Sequence, residues 1–105
     1  QLKRLARRAS LGLARTGSVS GNGSGDIFIA FSTANPNAGQ AKGLVTVTML
    51  PNEEMNPLFE GVVQATEEAI VNAMAGAETM TGVQGHRVIA LPHDRLRETM
   101  RKYGR

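Results

Sequence analysis

Cysteine and tryptophan are absent from these 105 residues, and the aromatic side chains are few: Phe28, Phe31, Phe59 and Tyr103. Without cysteine there is neither a disulfide frame nor a thiolate metal site. That absence leaves the compartment open, cytoplasmic or periplasmic. Scarce aromatics give base stacking almost no material, which counts against a single-stranded nucleic-acid binder. No apolar run approaches the length that spans a bilayer, so no membrane partner is expected.

What is present suits one folded domain with a modest core. The chain is 41% hydrophobic and 20% charged, a folded rather than disordered composition. Residues 1–105 are expected to form a single unit. The net charge of +3 is unevenly spread. Lys3, Arg4, Arg7, Arg8 and Arg15 load the opening, and Arg87, Arg95, Arg97, Arg101, Lys102 and Arg105 load the end. The middle holds Glu53, Glu54, Glu60, Glu67, Glu68 and Glu78. Basic ends suggest nucleic acid; solvated faces, with basic and acidic helices paired across an interface, explain them equally, and this second explanation is preferred. The Arg-rich opening has the composition of a mitochondrial transit peptide, but it runs smoothly into the loop and strand that follow.

Leu2, Leu5, Ala6, Ala9 and Leu13 recur at helical spacing, with Gly17 as a stop. Residues 17–25 read as loop. Asp26 to Thr33 reads as a strand apolar on both faces and hence buried on both. Asn35 to Gly39 is a turn, and Leu44 to Leu50 a second strand. The two are expected to be antiparallel neighbours, connected through Gln40 to Gly43. Pro51 to Glu54 opens a long helix, with Asn52 as N-cap and a stripe from Met55 to Ala77. Glu78 to Gly82 is a polar break, Arg87 to Leu91 a short strand, and Asp94 to Lys102 a last helix with Leu96 and Met100 inward. The methionines Met55, Met74, Met80 and Met100 are expected to fill the core.

The most informative stretch runs from Gly17 to Ser32, a Gly/Ser-rich loop entering an apolar strand. Residues two apart in extended chain share a face, so Ser24 and Asp26 project together: a hydroxyl with a proton acceptor beside it. Gly25 between them leaves room for backbone or substrate. Ser, Gly and Asp are also ordinary turn residues, and on local pattern alone Ser-Gly-Asp before a strand is more often a turn than a site. A phosphate cradle in residues 21–25 is rejected, because such a loop leads from a strand into a helix with a lysine nearby.

Beyond these patterns, Leu2 to Ala9, Leu11 to Ser18, Gly23 to Ile27, Ala30 to Asn35, Leu58 to Ala73, Ala77 to Gly82 and Pro92 to Leu96 resemble the β-chain of the DmpA-type aminopeptidases. That family includes L-aminopeptidase D-Ala-esterase/amidase and the β-peptidyl aminopeptidases, and the resemblance covers essentially the whole chain. It implies an α/β (α+β) fold, an αββα sandwich with antiparallel sheets between helix layers, completed with a partner α chain from the same precursor. It implies self-cleavage that frees an N-terminal serine nucleophile, an acyl-enzyme mechanism on short peptides, amides or esters, no cofactor and no metal. It also implies further assembly of the heterodimers. Ser24 and Asp26 fall where the family keeps a second serine and an acidic residue, glutamate in some relatives. Ser24 is then expected to hydrogen-bond the nucleophile, and Asp26 to orient Ser24 or hold an ammonium group. The oxyanion-hole asparagine is expected on the α chain. The nucleophile is expected a strand and a turn upstream of the opening helix; Ser10, Ser18 and Ser20 do not match it.

Other candidates read as structural. His86 and His93 lie seven apart with Pro92 between them, and both are expected at the surface rather than on a metal. Glu67 and Glu68 are adjacent and so do not share a helix face, which argues against a glycosidase pair. Glu78 stands at a break where it could cap a helix or line a pocket. Two other classes of function remain: an inactive or pseudo-enzyme subunit, and a small basic nucleic-acid-binding protein whose affinity would fall steeply with salt.

Overall fold

Helix α1 spans Leu2–Arg15 in the computed structural model, which describes residues 1–40 and 42–105. It stops as its pattern predicts: Gly17 takes φ 96°, and its N–H donates to the Ala14 carbonyl at 3.0 Å. Helix α2 spans Asn56–Gly76, preceded by a 3₁₀ turn over Asn52–Met55. Two antiparallel two-residue strands follow, β1 (Met80–Thr81) and β2 (Arg87–Val88), and then helix α3, His93–Lys102. The fold is thus mixed helix and sheet. It divides into two compact units, Gln1–Glu67 and Glu68–Arg105.

In the first unit α1 packs on α2 at Gly12, the buried residue of α1. A Cβ there would lie 2.5 Å from the Val63 carbonyl oxygen and 2.6 Å from the Thr66 Cβ. Glycine is what permits so close an approach. The guanidinium groups of Arg4 and Arg8 lie over the Phe59 ring, at 4.9 and 3.7 Å from its centroid, where the ring's negative face attracts them. At the other end of α1, Arg15 Nη1 meets Glu67 Oε2 at 2.9 Å, an ion pair between the two helices.

The two long strands expected at Asp26–Thr33 and Leu44–Leu50 are corrected. Both segments run without helix, turn or bend, but neither carries a β-ladder among the described residues. Nor is the first buried on both faces: Ile27, Ile29 and Phe31 are 83%, 84% and 80% exposed. Two short segments with only each other for neighbours do not make a stable sheet. Ala41, in the expected connection from Gln40 to Gly43, lies outside the described residues.

Three further expectations are corrected. Asn52 is not the N-cap: that position falls on Pro51 and Asn52 is the first residue of the 3₁₀ turn, with its Oδ1 accepting a charge-assisted bond from Arg4 Nη1 at 3.0 Å. Met80 and Thr81, read as a break, pair with Val88 and Arg87 instead. Of the four methionines expected in the core, Met55 is buried, whereas Met74, Met80 and Met100 are about half exposed or more, as is Leu96 in part.

In the second unit β1 and β2 are joined by a tight turn at Val83–Gly85, with Gln84 and Gly85 both at positive φ. The Gly82 N–H donates to the His86 carbonyl at 2.8 Å. The Thr79 hydroxyl accepts from the Ala90 N–H at 3.0 Å, extending the pairing beyond the strands by a side chain.

Candidate functional site

The loop after α1 turns twice before the apolar run begins. Ser20 takes φ 45°, with its N–H donating to Ser18 Oγ at 3.2 Å. The Ser24 N–H then closes a turn on the Gly21 carbonyl at 2.8 Å. From Ser24 to Thr33 the chain runs free of turns, so residues two apart share a face. The structure brings Ser24 and Asp26 together: Ser24 Oγ donates to Asp26 Oδ2. The Asp26 N–H points back at Ser24 Oγ from 3.4 Å. Both residues are exposed, and a Cβ at Gly21, Gly23 or Gly25 would meet nothing. The pair is therefore open to an incoming group.

This arrangement sets the direction of Ser24. With its proton given to the carboxylate, the hydroxyl oxygen is left to accept a hydrogen bond from outside. An ammonium or hydroxyl arriving there meets an acceptor polarised by an anion behind it, which is how a base-orienting relay is built.

The other candidates are not brought to this pair. His93 Nε2 lies 2.9 Å from the Ala75 carbonyl oxygen, at the end of α2, where it satisfies an orphan helix acceptor. His86 is exposed. Among the described residues no group of three or more His, Cys, Asp or Glu side chains is placed to hold a metal ion. Glu67 is engaged by Arg15. Glu78 lines an apolar groove of the second unit with Met74, Met80, Val88 and Leu91.

Sequence reading missed one junction close to the pair in the chain. The Asn35 side chain donates from Nδ2 to the Thr48 carbonyl at 3.0 Å and accepts from the Thr48 N–H at Oδ1 at 2.8 Å. Asn35 stands before Pro36 and reads as a turn residue. The one available signal was its place at the end of an apolar run, where a side chain can take over from a ladder.

Comparison with known proteins places this geometry in context. Residues 1–88 match the profile of Peptidase family S58. The whole chain is 50% identical over 106 aligned residues to the β-peptidyl aminopeptidase BapA of Sphingosinicella microcystinivorans, covering 27% of that protein. Among solved structures, the L-aminopeptidase D-Ala-esterase/amidase of Ochrobactrum anthropi superposes with a TM-score of 0.84 at 48% identity. It is described as a prototype for the serine aminopeptidases and a new variant of the Ntn hydrolase fold; 98% of this chain covers 30% of it. A β-aminopeptidase of Burkholderia sp. superposes with a TM-score of 0.81 at 42% identity, over 97% of this chain and 30% of that one. The chain thus spans between a quarter and a third of the relatives it matches.

Proposed function

This chain belongs to peptidase family S58, and we propose that it is the β-chain portion of a self-processing serine aminopeptidase or amidase. The observation that carries the proposal is the Ser24–Asp26 hydrogen bond at the head of an apolar run, in a chain similar along its whole length to β-peptidyl and L-aminopeptidases. Residues 1–105 act as one unit, the C-terminal part of an αββα sandwich whose remaining strands and helices come from the α chain of the same precursor. Supporting this are the exposed Ile27, Ile29 and Phe31, which need sheet neighbours, and the share of each relative that the chain covers. The heterodimers assemble further.

The chemistry follows from the pair. An N-terminal serine on the segment preceding α1 is the nucleophile. Its α-amine, with a pKa of about 7.7–8.0 as a free group, takes the proton of its own hydroxyl as the alkoxide attacks the scissile carbonyl. Ser24 Oγ accepts a hydrogen bond from the resulting ammonium. Asp26, behind Ser24, stabilises that positive charge without taking the proton. The ammonium then protonates the leaving amine, and water, activated by the regenerated amine, hydrolyses the acyl-enzyme. The substrates are short peptides, amides or esters with a free amino terminus; the α chain supplies the oxyanion-hole asparagine.

The test is hydrolysis of amino-acid p-nitroanilides, of both the L-α and β series, by the full precursor and its Ser24→Ala variant. Turnover by the wild type and a loss of roughly 10²-fold or more in kcat for the variant supports the reading. Unchanged kcat in a correctly cleaved Ser24→Ala protein refutes it.

A further inference from the structure

We infer that Asn35 is a positioning residue for the Ser24–Asp26 pair, an inference that rests on the aminopeptidase reading above. Its amide engages both polar groups of one backbone residue, donating to the Thr48 carbonyl at 3.0 Å and accepting from the Thr48 N–H at 2.8 Å. No backbone ladder joins 26–33 to 44–50 among the described residues. In uncoiled chain the N–H and C=O of one residue point to one side, and those of the next to the other. An amide that needs both groups can therefore take Thr48 but neither Val47 nor Met49. A slip of one residue would break both bonds and turn every side chain of the run to the opposite face.

The second segment is itself anchored. Gln1 Nε2 donates to the Leu50 carbonyl, and Arg4 Nη1 to Asn52 Oδ1 at 3.0 Å, tying its end to the start of α1. Asn35 ties the first segment to that frame. From Asp26 to Thr33 the chain has no turn, no bend and no positive φ, and the bend that follows at Ala34 and Asn35 is held by the two bonds of the Asn35 amide. A shift at Asn35 is passed along the run to Ser24 and Asp26.

The side-chain chemistry is specific. A carboxylate offers acceptors alone; Asn35→Asp would keep the bond from the Thr48 N–H and set an anionic oxygen against the Thr48 carbonyl. Asn35→Ala would lose both bonds. The experiment uses the full precursor as wild type, Asn35→Ala and Asn35→Asp, with kcat and KM on an amino-acid p-nitroanilide, the melting temperature, and hydrogen exchange at the Thr48 amide. Misplacing a catalytic group by about 1 Å costs roughly 10²-fold in rate. The expected result is a kcat loss of that order in both variants, KM within about threefold of wild type, and faster exchange at Thr48 in Asn35→Ala. Wild-type kcat in folded Asn35→Ala overturns the inference. So does a loss that tracks a fall in melting temperature and disappears when the assay is cooled, since that is instability alone. A wild type that hydrolyses none of these substrates fails the aminopeptidase reading itself, and is recognised without reference to the variants.

Discussion

Helix α1 with the part of α2 up to Glu67, and the pair of segments 26–33 and 44–50, come from the same compact unit, yet they meet their partners in opposite ways. The helices satisfy each other locally: Gly12 against Val63 and Thr66, Arg8 on Phe59, Arg15 on Glu67. The segments are more apolar than the helices and remain the more exposed, because a helix completes its hydrogen bonds within itself whereas a strand must borrow them from a neighbour. One side-chain amide, that of Asn35, stands in for the ladder. The Ser24–Asp26 pair, for which a catalytic role is proposed, lies at the head of the segment that depends most on others, and the helices supply the frame. Substitutions in the segments should therefore change rate, and substitutions between the helices should change stability.

Asp26 gives the largest expected effect and the sharpest form of that contrast. Asp26→Asn keeps an acceptor for the Ser24 hydroxyl but removes the negative charge behind it. In the full precursor kcat should fall by roughly 10²-fold while the melting temperature stays near wild type, because both residues are exposed. Asp26→Glu restores the charge one methylene further out and should recover most of the rate. A melting temperature that falls with the rate in Asp26→Asn would place the pair in the frame rather than in the chemistry.

How far all this was readable in the sequence depended on how local each feature is. The end of α1 at Gly17 and the start of α3 behind Pro92 rest on neighbours within one turn, and periodicity found both. The meeting of Ser24 and Asp26 follows from spacing alone, since residues two apart share a face. The failures at Asn52, Asn35 and the two apolar segments involve distant partners. Asn52 has the composition of a cap, but Arg4, 48 residues away, claims its oxygen. Asn35 reads as a turn until Thr48 is brought beside it. The segments 26–33 and 44–50 have strand composition, but composition carries no information on whether a neighbouring strand is within reach.

Gly12 should break the other side of the comparison. Gly12→Ala puts a methyl group against a backbone oxygen and the Thr66 Cβ, neither of which is the free end of a flexible chain. Overpacking of this kind costs typically about 1–3 kcal/mol, partly offset by the better helix propensity of alanine. Denaturant melts of the full precursor should show that loss, with kcat per folded molecule unchanged. A loss of kcat without a loss of stability would mean that the helix contact reaches the Ser24–Asp26 pair.

The smallest effect is expected at Arg15 and Glu67, the ion pair at the far end of the same helix contact. The side chains are 51% and 39% exposed and the nitrogen–oxygen distance is 2.9 Å. Exposed pairs of this kind are worth about 0.2–1 kcal/mol, since water screens the attraction and two long side chains are immobilised. A double-mutant cycle with Arg15→Gln and Glu67→Gln should return a coupling in that range that shrinks as salt rises. Gly12 fixes how near the helices come, and the ion pair adds to a spacing already set by the backbone. Coupling that persisted undiminished in high salt would reverse that order and make the charge pair the element that draws α1 onto α2.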